Sequence, residues 1–196
     1  LMSSRLVHLF GLGIGALSAL VALAIAEPYR FRRVEAFIDP FRDPRNQGYQ
    51  LIQSLIAVGS GGIFGKGLGA GEQKLYYLPA AHTDFIFAVI AEELGLIGAL
   101  FVLLLFVYFG YRGFRLAYHL SHDSFLCSLA VGLTMLIIFP AMLNVGVVLG
   151  LLPTKGLVLP FISFGGSAMV ANLLVIGVLL SLSAEVPSEK QSSASD

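Results

Sequence analysis

The chain has 196 residues, of which 57% are hydrophobic and only 12% charged, and its formal net charge is zero. That much apolar surface exceeds what one soluble core can hide, so the chain belongs in a bilayer. A pI of about 7.1 leaves no basic footprint for nucleic acid, and the lone cysteine, Cys127, excludes an internal disulfide and a thiolate metal site.

A helix needs roughly 20 apolar residues to cross the hydrocarbon core. Four stretches reach that length: Leu6–Ala26, Phe85–Phe109, Phe125–Leu149 and Leu157–Leu182. They predict an all-α polytopic membrane protein of about four transmembrane helices. The first stretch begins almost at residue 1 without a cleavage site, so it reads as a span and the chain as a piece of a longer protein. Gly11, Gly13 and Ala16 mimic a dinucleotide-binding pattern, but no strand precedes them, and Gly11 with Gly15 suits close helix packing instead.

The long segment Glu27–Thr83 is rich in Gly, Pro, Gln and charge. Within it, Leu51, Ile52, Leu55 and Ile56 recur at helical spacing against Gln50, Gln53 and Ser54, which predicts an amphipathic helix over Tyr49–Val58 lying at the membrane interface. The glycines from Gly59 to Gly71 surround Lys66, but Ser60 and Gly67 stand where a nucleotide-binding loop needs glycine and Ser or Thr. They suit a tight, re-entrant backbone at the membrane edge, where unpaired peptide groups must find local partners. The tail 184–196 is Ser-rich and polar and reads as disordered.

Arg30, Arg32, Arg33, Arg42, Arg45, Lys66 and Lys74 crowd the long segment, yet the positive-inside rule weakens for long loops. The short loops set Arg112 and Arg115 against Lys155 alone, which favours Tyr111–Asp123 as the cytoplasmic one. Ionisable groups at or within a span carry the strongest chemical signal, because burying a carboxylate in hydrocarbon costs several kcal/mol. Asp84 stands at the mouth of the second span, either as a first-turn acid favoured by the helix dipole or as a carboxylate facing a wet cavity. Glu92 and Glu93 lie about two turns deeper on different faces, and at least one is expected to pair with an arginine or a backbone donor. His82, two residues from Asp84, fits neither a helical metal pair nor a dyad. Pro140 and Asn144, then Pro153, Pro160, Gly165 and Gly166, predict bent or broken helices around a wet pocket at the outer face.

These residues together resemble the SEDS (shape, elongation, division and sporulation) family of membrane proteins. The resemblance rests on Asp43, Pro44, Gly48–Gln50, Gln53 and Ser54, on Ser60–Gly62, Gly65, Gly67 and Gly69, and on the run Ala81-His82-Thr83-Asp84-Phe85 with Glu92-Glu93-Leu94-Gly95. It continues through Asn144-Val145-Gly146, Leu152-Pro153-Thr154-Lys155-Gly156-Leu157 and Leu159-Pro160-Phe161-Ile162-Ser163-Phe164-Gly165-Gly166-Ser167, and so covers nearly the whole chain. Thr154-Lys155 resembles the division and sporulation branch rather than the elongation branch. Ala80 stands where the family often has Glu and Phe164 where it usually has Tyr, which puts any role of those two groups in doubt.

The resemblance implies a fold of about ten spanning helices with both ends cytoplasmic. This chain would supply the C-terminal four, with 27–83 as a large periplasmic loop and 184–196 as a cytoplasmic tail. It further implies a peptidoglycan glycosyltransferase of the bacterial inner membrane, acting at the division septum on lipid II, the undecaprenyl-pyrophosphate disaccharide pentapeptide. Asp84 would be the catalytic base. Arg32, Arg33, Lys66, Lys74 and Lys155 would face the anionic leaving group, and Gln50, Gln53, Ser54, His82, Thr83 and Ser163 would contact substrate. No metal-ligand cluster is visible, although a divalent cation could share the charge. Expected partners are a class B penicillin-binding protein, other divisome proteins and membrane lipids. A lipid II transporter and a non-catalytic divisome scaffold are the competing readings.

Overall fold

The structure, a computed structural model, describes residues 14, 15, 18, 37–42, 44, 48–71 and 83–185. Of the first expected span only Ile14, Gly15 and Ser18 are described, all helical. Arg32, Arg33, Lys74, His82, Ala80 and the tail beyond Glu185 lie outside the described residues.

Among the described residues the chain is all-α, with four principal helices: α1 (Tyr49–Gly61), α2 (Ile86–His119), α3 (Ser124–Val148) and α4 (Gly166–Ala184). The last three are long and apolar enough to cross a membrane, and bare side chains such as Phe101, Leu104, Val107, Phe139 and Leu174 present the apolar exterior of a multi-pass membrane protein. α2 and α3 start within a residue of the expected positions. α2 nonetheless continues ten residues past Phe109, because Gly110, Gly113 and Ala117 form a buried stripe against Ala130, Thr134 and Ile138 of α3. A side chain at residue 113 would overlap Thr134, so the small residue is what lets the two backbones close. Asp123 then starts α3 by accepting hydrogen bonds from Phe125 N at 2.8 Å and Leu126 N at 3.1 Å.

At Pro140, where a bend or break is expected, α3 continues as one helix. The break falls instead in α2 at Gly95, whose φ of 69° and ψ of −164° belong to a region that only glycine occupies readily. In an unbroken helix, Leu96 N and Ile97 N would donate to the carbonyls of Glu92 and Glu93. Here Leu96 N donates to Gly62 O at 2.9 Å and Ile97 N to Ile63 O at 3.3 Å. The carbonyls of Glu92 and Glu93 accept from Lys66 N and Gly67 N, both at 3.0 Å. The Gly-rich segment therefore inserts into the helix and forms four backbone hydrogen bonds with it, which satisfy those four groups. Lys66 Nζ completes the join at 2.9 Å from Glu92 Oε1, whose residue is fully buried.

α1 forms where helical spacing places it, and its predicted apolar residues divide between the protein and the outside. Leu51, Ser54, Ala57 and Gly61 are buried, while Leu55 and Ile56 are exposed. Gly61 abuts the Ala91 carbonyl so closely that a β-carbon would overlap it, and Ser54 Oγ donates to Val148 O at 2.9 Å. Small residues let α1 approach α2 and the end of α3, and the larger apolar ones turn outward. Ala57, Phe87, Ala88, Val145 and Val148 belong to one buried cluster, which includes Phe85, the residue after Asp84.

Candidate active site at the mouth of the second helix

The backbone leading into α2 carries carbonyls that the helix itself does not use, and two buried side chains take them up. Asn144 of α3 donates through Nδ2 to the Asp84 carbonyl at 2.8 Å and also to the Leu157 carbonyl. Ser163 donates its hydroxyl to the Thr83 carbonyl and accepts from Leu159 N at 2.7 Å. Asn144 and Ser163 are almost wholly enclosed, so these bonds are strong relative to solvent-exposed ones and costly to leave unmade. They pin residues 83–84 to α3 on one side and to the segment 157–163 on the other.

The expected start of the fourth span, Leu157, is consequently not helical; α4 begins only at Gly166. A turn intervenes in which Ile162 N donates to Leu159 O at 3.3 Å, with Pro160 at its second position and Phe161 at its third. Phe161 takes a φ of 66°, a place usually filled by glycine.

The Asp84 side chain differs from its own backbone. It is half-buried, and among the described residues no hydrogen bond or ion pair engages its carboxylate. A β-carbon added to Gly156 would lie 3.1 Å from Asp84 Oδ2, so the loop Leu152–Gly156 closes directly against the carboxylate and glycine leaves it room. Lys155, exposed, flanks that glycine. A cavity of about 690 Å³ opens beside this mouth, bounded by Ile86, Ile162, Phe164 and Met169. It is lined mainly by apolar side chains, rather than being the wet pocket the prolines and glycines suggested, and its hydroxyl, on Ser163, is already engaged with backbone. Phe164, at the position where tyrosine is usual in the family, is exposed at its rim.

The remaining candidates divide. Thr83 and Asp84 come together with Ser163 and Lys155 around the mouth, and Gln50 and Gln53 are half-buried on α1. Ser54, fully buried, spends its hydroxyl on Val148 and holds α1 to α3. Lys66 sits at the α2 break with Glu92, about two turns from Asp84. Among the described residues Glu92 pairs with a lysine of the Gly-rich segment. Asn144 escaped sequence reasoning as a site residue, although a carboxamide in an apolar span was a signal that some backbone group needed it. Among the described residues no group of three or more His, Cys, Asp or Glu could hold a metal ion.

The family model described as "Cell cycle protein", for FtsW, RodA and SpoVE, matches residues 1–188. A protein of Legionella pneumophila called "Probable peptidoglycan glycosyltransferase FtsW" is 51% identical over 183 residues, 92% of this chain and 46% of its own length. A Geobacter protein of the same name is 46% identical over 180 residues, 92% of this chain and 49% of the relative. "Stage V sporulation protein E" of Bacillus subtilis shows the same identity and the same two coverages. A solved chain, reported under the words "Structural coordination of polymerization and crosslinking by a peptidoglycan synthase complex", superposes with a TM-score of 0.66 at 35% identity, covering 91% of this chain and 49% of that one. This chain spans about half the length of the relatives it matches.

Proposed function

The chain belongs to the FtsW, RodA and SpoVE family of cell cycle proteins, and from that premise we propose that it is the C-terminal membrane part of an FtsW-like peptidoglycan glycosyltransferase. The substrate is lipid II, the compartment the outer face of the bacterial inner membrane at the septum, and the partner a class B penicillin-binding protein that engages lipid-facing helix surfaces. The observation that carries the reading is the contrast within one residue. The backbone of Asp84 is held by Asn144, while its carboxylate is left without a described partner at the mouth.

Polymerisation requires the acceptor 4-hydroxyl to attack the anomeric carbon of the donor. The C–O bond to pyrophosphate breaks with inversion, and the hydroxyl proton must leave. A carboxylate fixed through its own main chain and turned toward the opening suits the removal of that proton. Lys155, one residue before the glycine that lies against Asp84, suits the negative charge that develops on the leaving pyrophosphate. The apolar walls of the neighbouring cavity suit the polyprenyl chain, so that the sugar is presented at the rim while the lipid remains in an apolar phase. Thr83 and Ser163 serve the geometry of the mouth through backbone bonds.

The reading is tested by Asp84→Asn in the full-length parent protein with its cognate partner, assayed with purified lipid II. The amide keeps the shape and cannot accept the proton, so the rate is expected to fall by about 10²- to 10⁴-fold, with yield and partner binding unchanged. A rate within about threefold of wild type would remove Asp84 from the chemistry and favour the transport of lipid II instead.

A further inference from the structure

Far from Asp84, the last two turns of α2 carry Arg112, Arg115 and His119 at spacings of three and four, which places them along one helix face. They line a groove of about 410 Å³ whose opposite wall is α4, through Ile176, Leu179 and Leu180. At 1.5 Å per residue, Arg112 lies about 40 Å along the helix from Asp84, more than the roughly 30 Å of hydrocarbon, so the groove sits at headgroup level on the other face of the membrane.

We propose that this groove binds one anionic glycerophospholipid, its phosphate between Arg112 and Arg115 and its acyl chains along Ile176, Leu179 and Leu180. Charge supports that occupant. Among the described residues neither arginine forms an ion pair or a side-chain hydrogen bond. The acid in the following turn, Asp123, spends Oδ1 on the N-cap of α3, and Glu185 at the end of α4 makes no described ion pair. One ring nitrogen of His119 lies 2.7 Å from the Arg115 carbonyl, which fixes that side chain to its own helix and leaves the two guanidinium groups as the available cations. Arginine presents paired donors that match a phosphate oxygen pair.

Shape points the same way. A zwitterionic headgroup would set its own cation near the arginines, and a wholly apolar occupant would leave both arginines unmatched. The volume falls within the range of small-ligand sites, large enough for the glycerol-phosphate and the first acyl carbons, with the remaining chain running down the exposed face of α4. The lipid would fill the wedge between α2 and α4, where α4 buries little but Leu179 and Leu182, and would hold the last helix to the bundle. This inference is independent of the polymerase reading, since it uses none of the residues at the mouth.

The test is native mass spectrometry of the full-length protein, equilibrated with equal amounts of phosphatidylglycerol and phosphatidylcholine of matched chains. Wild type is expected to retain one phosphatidylglycerol in clear excess. Near-surface arginines contribute about fivefold each, so R112Q/R115Q is expected to lower that excess by more than about tenfold, and R112K/R115K to lower it less. Equal retention by wild type and R112Q/R115Q would overturn the proposal. If the glutamine variant does not accumulate, the wild-type competition decides: no preference between the two lipids overturns the proposal, and an excess that R112K/R115K reduces supports it.

Discussion

Two places in α2 depart from an ordinary membrane helix, and they are held by different means. At Gly95 the departure is held mainly by backbone: four main-chain hydrogen bonds are made with residues 62–67, and the Lys66–Glu92 pair is added to them. At Asp84 the helix entrance is held by side chains, Asn144 and Ser163, acting on carbonyls. A backbone exchange tolerates many side chains but demands glycine where two main chains meet. A side-chain clamp demands an amide and a hydroxyl, but it leaves the clamped residue's own side chain uncommitted. The first arrangement builds a rigid joint, and the second leaves a carboxylate unengaged at the mouth.

The largest effect should come from Gly95→Ala. Alanine opposes both the φ of 69° and the space, since its β-carbon would overlap Gly65 N. The expected loss is about 3 kcal/mol or more, seen as failure of the full-length protein to accumulate or as a large fall in melting temperature. Near-normal stability would mean that the exchanged bonds do not persist. Gly156→Ala makes the same chemical change in the other region and should behave differently. No unusual backbone conformation is involved, and the added carbon crowds only Asp84 Oδ2 at 3.1 Å. Melting temperature should stay within about 2 °C of wild type, while polymerisation falls about tenfold because the carboxylate is displaced. A stability loss comparable to that of Gly95→Ala would erase the distinction between the two regions.

The same contrast explains what could be read from the sequence. Hydropathy located the starts of α2 and α3 because apolar side chains declare a span on their own. It misplaced the start of α4, since Leu157 and Leu159 are apolar enough to count toward a span while their backbone groups are engaged by Asn144 and Ser163. Helical spacing found α1 but not the residues that seat it on its neighbours. Ser54 looks polar until Val148 supplies an acceptor, and Gly61 looks neutral until the Ala91 carbonyl arrives beside it. The glycines of 59–71 announced an irregular backbone without saying which helix it enters, because the partners lie about 30 residues away in α2. Asp84 stood out because a carboxylate at a span mouth is unusual by itself, whereas Asn144 gained meaning only from the carbonyls it holds.

Whether Asn144 acts on the proposed chemistry through Asp84 is tested most directly by a double-mutant cycle on lipid II polymerisation by the full-length protein with its partner. Asn144→Ala alone is expected to slow polymerisation by about 10- to 100-fold, since loosening the clamp misplaces the base. In the Asp84→Asn background the same substitution should change the residual rate by no more than about twofold, because no base remains to be positioned. An equal fold-loss in both backgrounds would mean that Asn144 supports the fold alone, and would contradict the account.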